Sequence, residues 1–367
     1  MKICFAFLFG LLVWAAGVRA SDNRPVSNPK SIAVLGDSLS TGAVVSPRLS
    51  LDPDQFWAIL LGKQQVEKTQ TAAAVNTSHR GDVYHPLFRV FDEYVSVISS
   101  YFINDEGASW GALLGAKLGI PQEDTYVYAK NGAKISGLLP QVKALLGDRE
   151  GFIPEVTAVL FTGNDVCSAL SALHTPSESY EAFVRAGLRL LFQGGKPSSE
   201  TGTVLFLQHL NLTQLVKSEE IGKKNVPSFG GTSTCQELVK RSFLPPEGYM
   251  PKTAEAVMSL SVIPPTPARL CPGVYAARNE DFSHLDSIAT RVRGYRRAVS
   301  SVAREINTLL KKGDFPGFER WEVTVVSESA DLEFTAEDIA NDCFHLSKEG
   351  QKKLADTAFD AFQKRPQ

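Results

Sequence analysis

Five apolar runs rich in β-branched and aromatic residues recur along the chain, at about 31–36, 125–130, 156–162, 203–208 and 321–327. Each is bounded by turn residues. Runs such as "VTAVLFT" and "TVLFLQ" are almost continuously apolar, the pattern of strands covered on both faces rather than on one. Helical patterns alternate with them, at about 107–118, 135–146, 178–193, 284–311 and 347–362. Ser347 is placed to cap the first turn of the last of these. Strands alternating with helices in this way predict an α/β fold built on a parallel sheet with helices on both faces.

The stretch "GASWGALLGAKLG" spaces Gly107, Gly111, Gly115 and Gly119 four apart, which lines one helix face with glycine. The stretch is short and contains Lys117, so it predicts close packing of a helix on the sheet rather than pairing within a membrane. Two connections are far longer than an α/β loop needs, at about 43–104 and 209–283. They are read as insertions in one domain spanning 21–367, placed over one edge or face of the sheet. The second is rich in proline and offers Phe229, Phe243, Leu244, Tyr249 and Met250. It follows the fourth strand and is expected to govern substrate choice.

Lys2, the apolar run "ICFAFLFGLLVWAAGV" and the small-residue site at Val18-Arg19-Ala20 read as an export signal cleaved after Ala20. A secreted or periplasmic protein is expected. Cys4 leaves with the leader, and Cys167, Cys235, Cys271 and Cys343 remain. An even number in an exported chain predicts disulfides. None lies in a C-x-x-C pair, so a structural zinc site is not expected. Acceptor sequons for glycosylation occur at Asn76 and Asn211. A net charge of −2 with 21% charged residues provides no basic stripe for nucleic acid.

The first strand ends in Gly36-Asp37-Ser38, small and polar at once. A serine hydroxyl is a weak nucleophile unless a base activates it. Ser38 is not in the G-x-S-x-G elbow, because Ser40 stands where the second glycine would be. Of His79, His85, His174, His209, His284 and His345, only His345 has a carboxylate three residues before it in a strand-following loop. Residues at that spacing meet on one side of a turn. Asp342 can therefore accept the Nδ1 proton of His345 and leave Nε2 for the serine. Asn164 in "FTGNDVC" and Gly132 in "KNGAKISGLLPQV" follow two further strands and offer hydrogen-bond donors to an oxyanion. Ser38, Gly132, Asn164 and His345 thus follow different strands of one sheet, and ligands bind at the carboxyl ends of such strands. No H-E-x-x-H or other metal spacing occurs, and neither metal nor cofactor is expected.

The blocks "GDSLS", "NGAKIS", "GNDVC" and "DCFHLS" resemble those of the GDSL, or SGNH, hydrolases, and are most similar to the phospholipase B-like branch. The resemblance covers the core strands and the loops after them, but neither insertion. It implies the SGNH hydrolase fold, a flavodoxin-like three-layer α/β/α sandwich with a five-stranded parallel sheet. It implies an exported serine esterase or lipase using Ser38 as nucleophile, His345 as base and Asp342 as orienting acid. The Ser38 backbone N–H, Gly132 and Asn164 correspond to the oxyanion hole. In the second block the family commonly has an asparagine about five residues before the glycine. Val127 or Tyr128 stands there, which leaves Gly137 as an alternative to Gly132. The implied partner is a small-molecule or lipid ester, at a membrane surface in the lipid case, and lipid or phospholipid acyl esters are the first choice. The alternatives are an O-acetyl esterase on a polysaccharide or cell-wall glycan, and a catalytically silent binding module. Four cysteines allow three pairings. Convergence of the Asn164 and His345 loops favours Cys167–Cys343, which leaves Cys235–Cys271.

Overall fold

A computed structural model of the chain describes residues 28–43, 106–168, 171–228, 231–240, 271–275 and 283–365. The leader at 1–20 with Cys4, nearly all of the 43–104 stretch with Asn76, His79 and His85, and the apolar residues named above in the second insertion lie outside them.

The five runs form one parallel sheet: β1 Ile32–Gly36, β2 Thr125–Val127, β3 Val156–Leu160, β4 Gly202–Leu207 and β5 Trp321–Val326. Their order in the sheet is β2-β1-β3-β4-β5, that of a flavodoxin-like doubly wound fold. Every residue of β1 and β3 is buried, as their continuous apolar patterns require. The edge strand β2 is shorter than expected. Ladder pairing to β1 stops at Val127, although Tyr128 N–H and Lys130 N–H still donate to Val34 and Gly36.

Five helices cover the sheet: α1 Trp110–Lys117, α2 Leu138–Asp148, α3 Ser177–Gly194, α4 Ser283–Lys312 and α5 Lys348–Gln363. α1 and α5 pack together on one face, and α2, α3 and α4 on the other. This three-layer arrangement is the expected fold class. The glycine face of α1 meets the sheet: a Cβ on Gly111 would stand 2.5 Å from a methyl of Val34. Removing that carbon lets α1 settle directly over β1.

The described part of the second insertion comprises short helices at Gln214–Lys217 and Glu219–Lys223, a hairpin of Asn225–Ser228 with Gly231–Thr234, and helices at Cys235–Lys240 and Pro272–Tyr275. The disulfides join Cys167 to Cys271 and Cys235 to Cys343. This corrects the expected pairing of Cys167 with Cys343 and of Cys235 with Cys271. Both described parts of the insertion reach the loops that follow the sheet. Its 271–275 end lies on the Cys167 loop, and its 235–240 end packs with Val226 against Cys343. Each loop therefore bonds to the insertion and not to the other loop. No helix among the described residues is long and apolar enough to cross a membrane.

Candidate active site

In an open α/β sheet the ligand crevice lies where the strand order reverses. Here that is between β1 and β3, and the loops leaving these two strands carry Ser38 and Asn164. The connection from β5 to α5 runs back across the sheet to reach them. Hydrogen bonds from Gln214 to Leu332 (3.1 Å) and from Phe334 N–H to Gln214 (2.8 Å) hold it on the way.

His345 Nε2 stands 2.9 Å from Ser38 Oγ, and His345 Nδ1 stands 2.5 Å from Asp342 Oδ2. All three side chains are buried. Asp342 Oδ1 also accepts from the backbone N–H of Phe344 and of His345, each at 3.0 Å. Burial raises the Asp342 carboxyl. The His345 ring and these hydrogen bonds outweigh burial and hold it below the ordinary carboxylate value. An ionised Asp342 keeps the proton on Nδ1, so the lone pair on Nε2 faces the serine.

Cys343 makes this turn possible. Its φ is +59°, a left-handed conformation rare for a side-chain-bearing residue. The chain reverses there, with Cys343 N–H on Ala340 O at 3.0 Å and Ala340 N–H on His345 O at 2.8 Å. Asp342 and His345, three residues apart, are thereby folded onto each other.

The Gly36-Asp37-Ser38 turn is held from both faces of the sheet by buried glutamines. Gln141 on α2 grips the Gly36 peptide twice, at 2.7 and 2.8 Å. Gln351 on α5 accepts from Trp110 N–H at 2.8 Å and donates to Leu39 O at 3.1 Å. Asp37 closes the turn, accepting from Leu39 N–H (3.0 Å) and from Thr162 N–H at the end of β3 (2.8 Å). Burial pushes its carboxyl up to about 6, against the lowering effect of those two donors. None of these three residues had been assigned a role from the sequence. The available signal was polarity in an apolar stripe: Gln141 lies among Leu138, Val142 and Leu145, and Gln351 among Leu354, Ala355 and Ala358.

Ser38, Leu39, Gly163, Asn164, Leu212 and Phe344 line a narrow cleft. One proton of the Asn164 amide goes to Ala133 O at 3.1 Å, which stitches the loop after β3 to the loop after β2. Asp165 adds to the seam, accepting from Ile135 N–H (3.0 Å) and Thr175 Oγ1 (2.6 Å). Its buried carboxyl is likewise pushed up to about 6. Gly132 sits in the same turn at φ +74° but is exposed and is not among the residues lining the cleft. Gly137 N–H donates to Lys134 O at 2.8 Å. The remaining described histidines are engaged elsewhere: His174 with Ser168 O, His284 with Val274 O, and His209 with Thr162 Oγ1 and Leu210 O. Among the described residues no three His, Cys, Asp or Glu side chains gather as a metal-holding group.

No protein-family model matches the chain, and no curated protein does. Solved structures do. One is LAE5, an α/β hydrolase enzyme from the metagenome of Lake Arreo, Spain, at 11% identity and a TM-score of 0.40, covering 91% of this chain and 95% of that one. Another is the psychrotrophic esterase EstA from Pseudoalteromonas sp., at 11% identity and 0.37, covering 91% and 97%. A third is TesA, at 13% identity and 0.32, covering 91% and 98%. With TM-scores this low, the reading of the site rests on its own geometry.

Proposed function

We propose that the chain is an exported serine esterase acting on acyl esters of lipid or phospholipid. The observation that carries this reading is the unbroken relay from Ser38 Oγ through both ring nitrogens of His345 to Asp342, at 2.9 and 2.5 Å. His345 takes the Ser38 proton as Oγ attacks the ester carbonyl. It then returns that proton to the leaving alkoxide. Water, deprotonated by the same nitrogen, resolves the acyl-enzyme. Asp342 keeps the ring in the required tautomer and stabilises the imidazolium that forms. The negative oxygen of each tetrahedral intermediate is held by the Ser38 backbone N–H and by the second proton of the Asn164 amide. Gly132 N–H, in the turn that Asn164 holds through Ala133 O, is the third donor of this reading.

The acyl preference is supported by the apolar side chains of Leu39, Leu212 and Phe344, which line the cleft beside Ser38. Export is supported by the leader pattern and by the two disulfides. A series of p-nitrophenyl esters from acetyl to dodecanoyl, run beside a phospholipid and an acetylated glycan, tests the substrate class. Rates that rise with acyl length and release of fatty acid from the phospholipid are expected. Activity confined to acetyl esters would overturn the lipid assignment. No turnover of any ester by the folded protein would overturn the esterase reading.

A further inference from the structure

The short helix Pro272–Tyr275 belongs to neither catalytic loop, yet it is bonded to both. At one end, Cys271 forms the disulfide with Cys167, and Gly273 N–H donates to Cys167 O at 2.8 Å. The fit is tight: a Cβ on Gly273 would stand 2.3 Å from Val166 O and 2.5 Å from Ser168 O. Cys167 lies three residues after Asn164. At the other end, the hydroxyl of the buried Tyr275 donates to Cys343 O at 2.6 Å. The Tyr275 ring meets Phe344 edge-on, with centroids 6.4 Å apart, and Phe344 in turn meets the His345 ring at 4.9 Å.

We infer that Tyr275 is a positioning residue for the esterase reaction, holding the strained Cys343 peptide so that Asp342 and His345 stay in register with the oxyanion loop. The inference rests on the proposed esterase reading and deepens it. A non-glycine residue at φ +59° is retained only where its surroundings over-determine it. Three attachments do so here: Cys343 N–H on Ala340 O, the Cys235 disulfide, and the Tyr275 hydroxyl. Only the last also connects Cys343 to the loop carrying Asn164. The hydroxyl stays protonated, because burial and the nearby Asp342 raise its ionisation well above the ordinary tyrosine value. It therefore remains a donor across the working range of pH. Losing it frees the carbonyl of a left-handed residue two positions before the base.

The test is Tyr275→Phe, which keeps the ring and removes the donor. Three quantities are compared with wild type: kcat and KM for p-nitrophenyl butyrate, the melting temperature, and the proton NMR signal of His345 Nδ1–H. The last is identified by its absence in His345→Gln. A short bond to a carboxylate moves that signal far downfield, so it reports the His345–Asp342 register directly. A fall in kcat of about ten-fold or more with KM within two-fold is expected, since errors below 1 Å are costly at this scale. The Nδ1–H signal should shift upfield or broaden, in a variant that still unfolds cooperatively. Unchanged kcat and an unchanged signal would overturn the inference. A variant that cannot fold would also overturn it, because the hydroxyl would then serve stability. If wild type turns over no ester, the esterase reading fails by itself, and the Nδ1–H signal still decides the role of Tyr275.

Discussion

Ser38 draws its proposed reactivity from neighbours that act at different stages, and substitutions should separate them. Ser38→Ala should reduce hydrolysis to the residual level left by binding and oxyanion stabilisation, with the melting temperature nearly unchanged. Asp342→Asn should lower kcat by about 10⁴-fold, because a neutral amide can hold the ring in the wrong tautomer while keeping its place. A kcat within ten-fold of wild type would contradict the role of Asp342. Asn164→Ala should cost about 10²–10³ in kcat with little change in KM, since its free amide proton meets charge only as it develops. A raised KM at constant kcat would instead make Asn164 a ground-state contact. At this scale the sequence was informative where a residue's type and its place after a strand suffice. It was silent on Asp37, Gln141 and Gln351, because the backbone partners Thr162, Gly36 and Leu39 that each of them respectively holds lie more than a hundred residues away. Such partners leave no local pattern.

The strands were legible as apolar runs and the helices from their apolar or glycine spacing, and all five strands and five helices lie at those places, with β2 shorter than its run. The disulfide pairing was not legible. It depends on how the insertion folds back, and convergence of the two catalytic loops does not require their cysteines to meet. The observed pairing makes a prediction of its own. Each bridge closes a loop of just over a hundred residues, worth about 4–5 kcal/mol in the chain-entropy account of disulfides. One ties the loop carrying Asn164, and the other the loop carrying His345, to the insertion. Mild reduction should therefore lower activity before global unfolding, and peptide mapping should recover Cys167 with Cys271 and Cys235 with Cys343. Full activity after both bridges are reduced would contradict a role for the insertion in holding the loops. A second prediction concerns the buried glutamine on α5. Gln351→Ala strands Trp110 N–H and Leu39 O without partners, at about 1–3 kcal/mol for each buried group. The melting temperature should fall by several degrees, and a variant as stable as wild type would show that water replaces the amide.

For the molecule as a whole, the carboxyl ends of β1, β3 and β4 bury three titratable groups under the proposed site, and their effects on stability oppose one another. Burial lowers His209 to about 4, and its Nε2 has no hydrogen-bond partner among the described residues. The unfolded chain binds a proton at this ring below about 6.5 while the folded chain does not, so stability is lost as pH falls from about 6.5 to 4. Asp37 and Asp165, raised to about 6, bind protons in the folded chain first. They favour the fold as pH falls from about 6 to 4. His209→Asn should remove the first effect only. Its melting temperature, relative to wild type, should therefore improve between pH 7 and pH 4.5. Parallel pH profiles for the two proteins would contradict the buried neutral state of His209.

The same sheet order that gathers these groups also sets Ser38 and Asn164 on either side of the reversal in strand order, and the long return from β5 brings His345 to meet them. Whether that meeting makes a nucleophile is most directly read by a fluorophosphonate, which reacts far faster with an activated serine than with an ordinary hydroxyl. The account predicts a single adduct on the folded protein, located by peptide mass analysis at Ser38. It should be absent in Ser38→Ala and formed at least 10²-fold more slowly in His345→Ala, about the lower bound of what a positioned base contributes. No adduct at Ser38, or labelling that proceeds at the wild-type rate without His345, would contradict it.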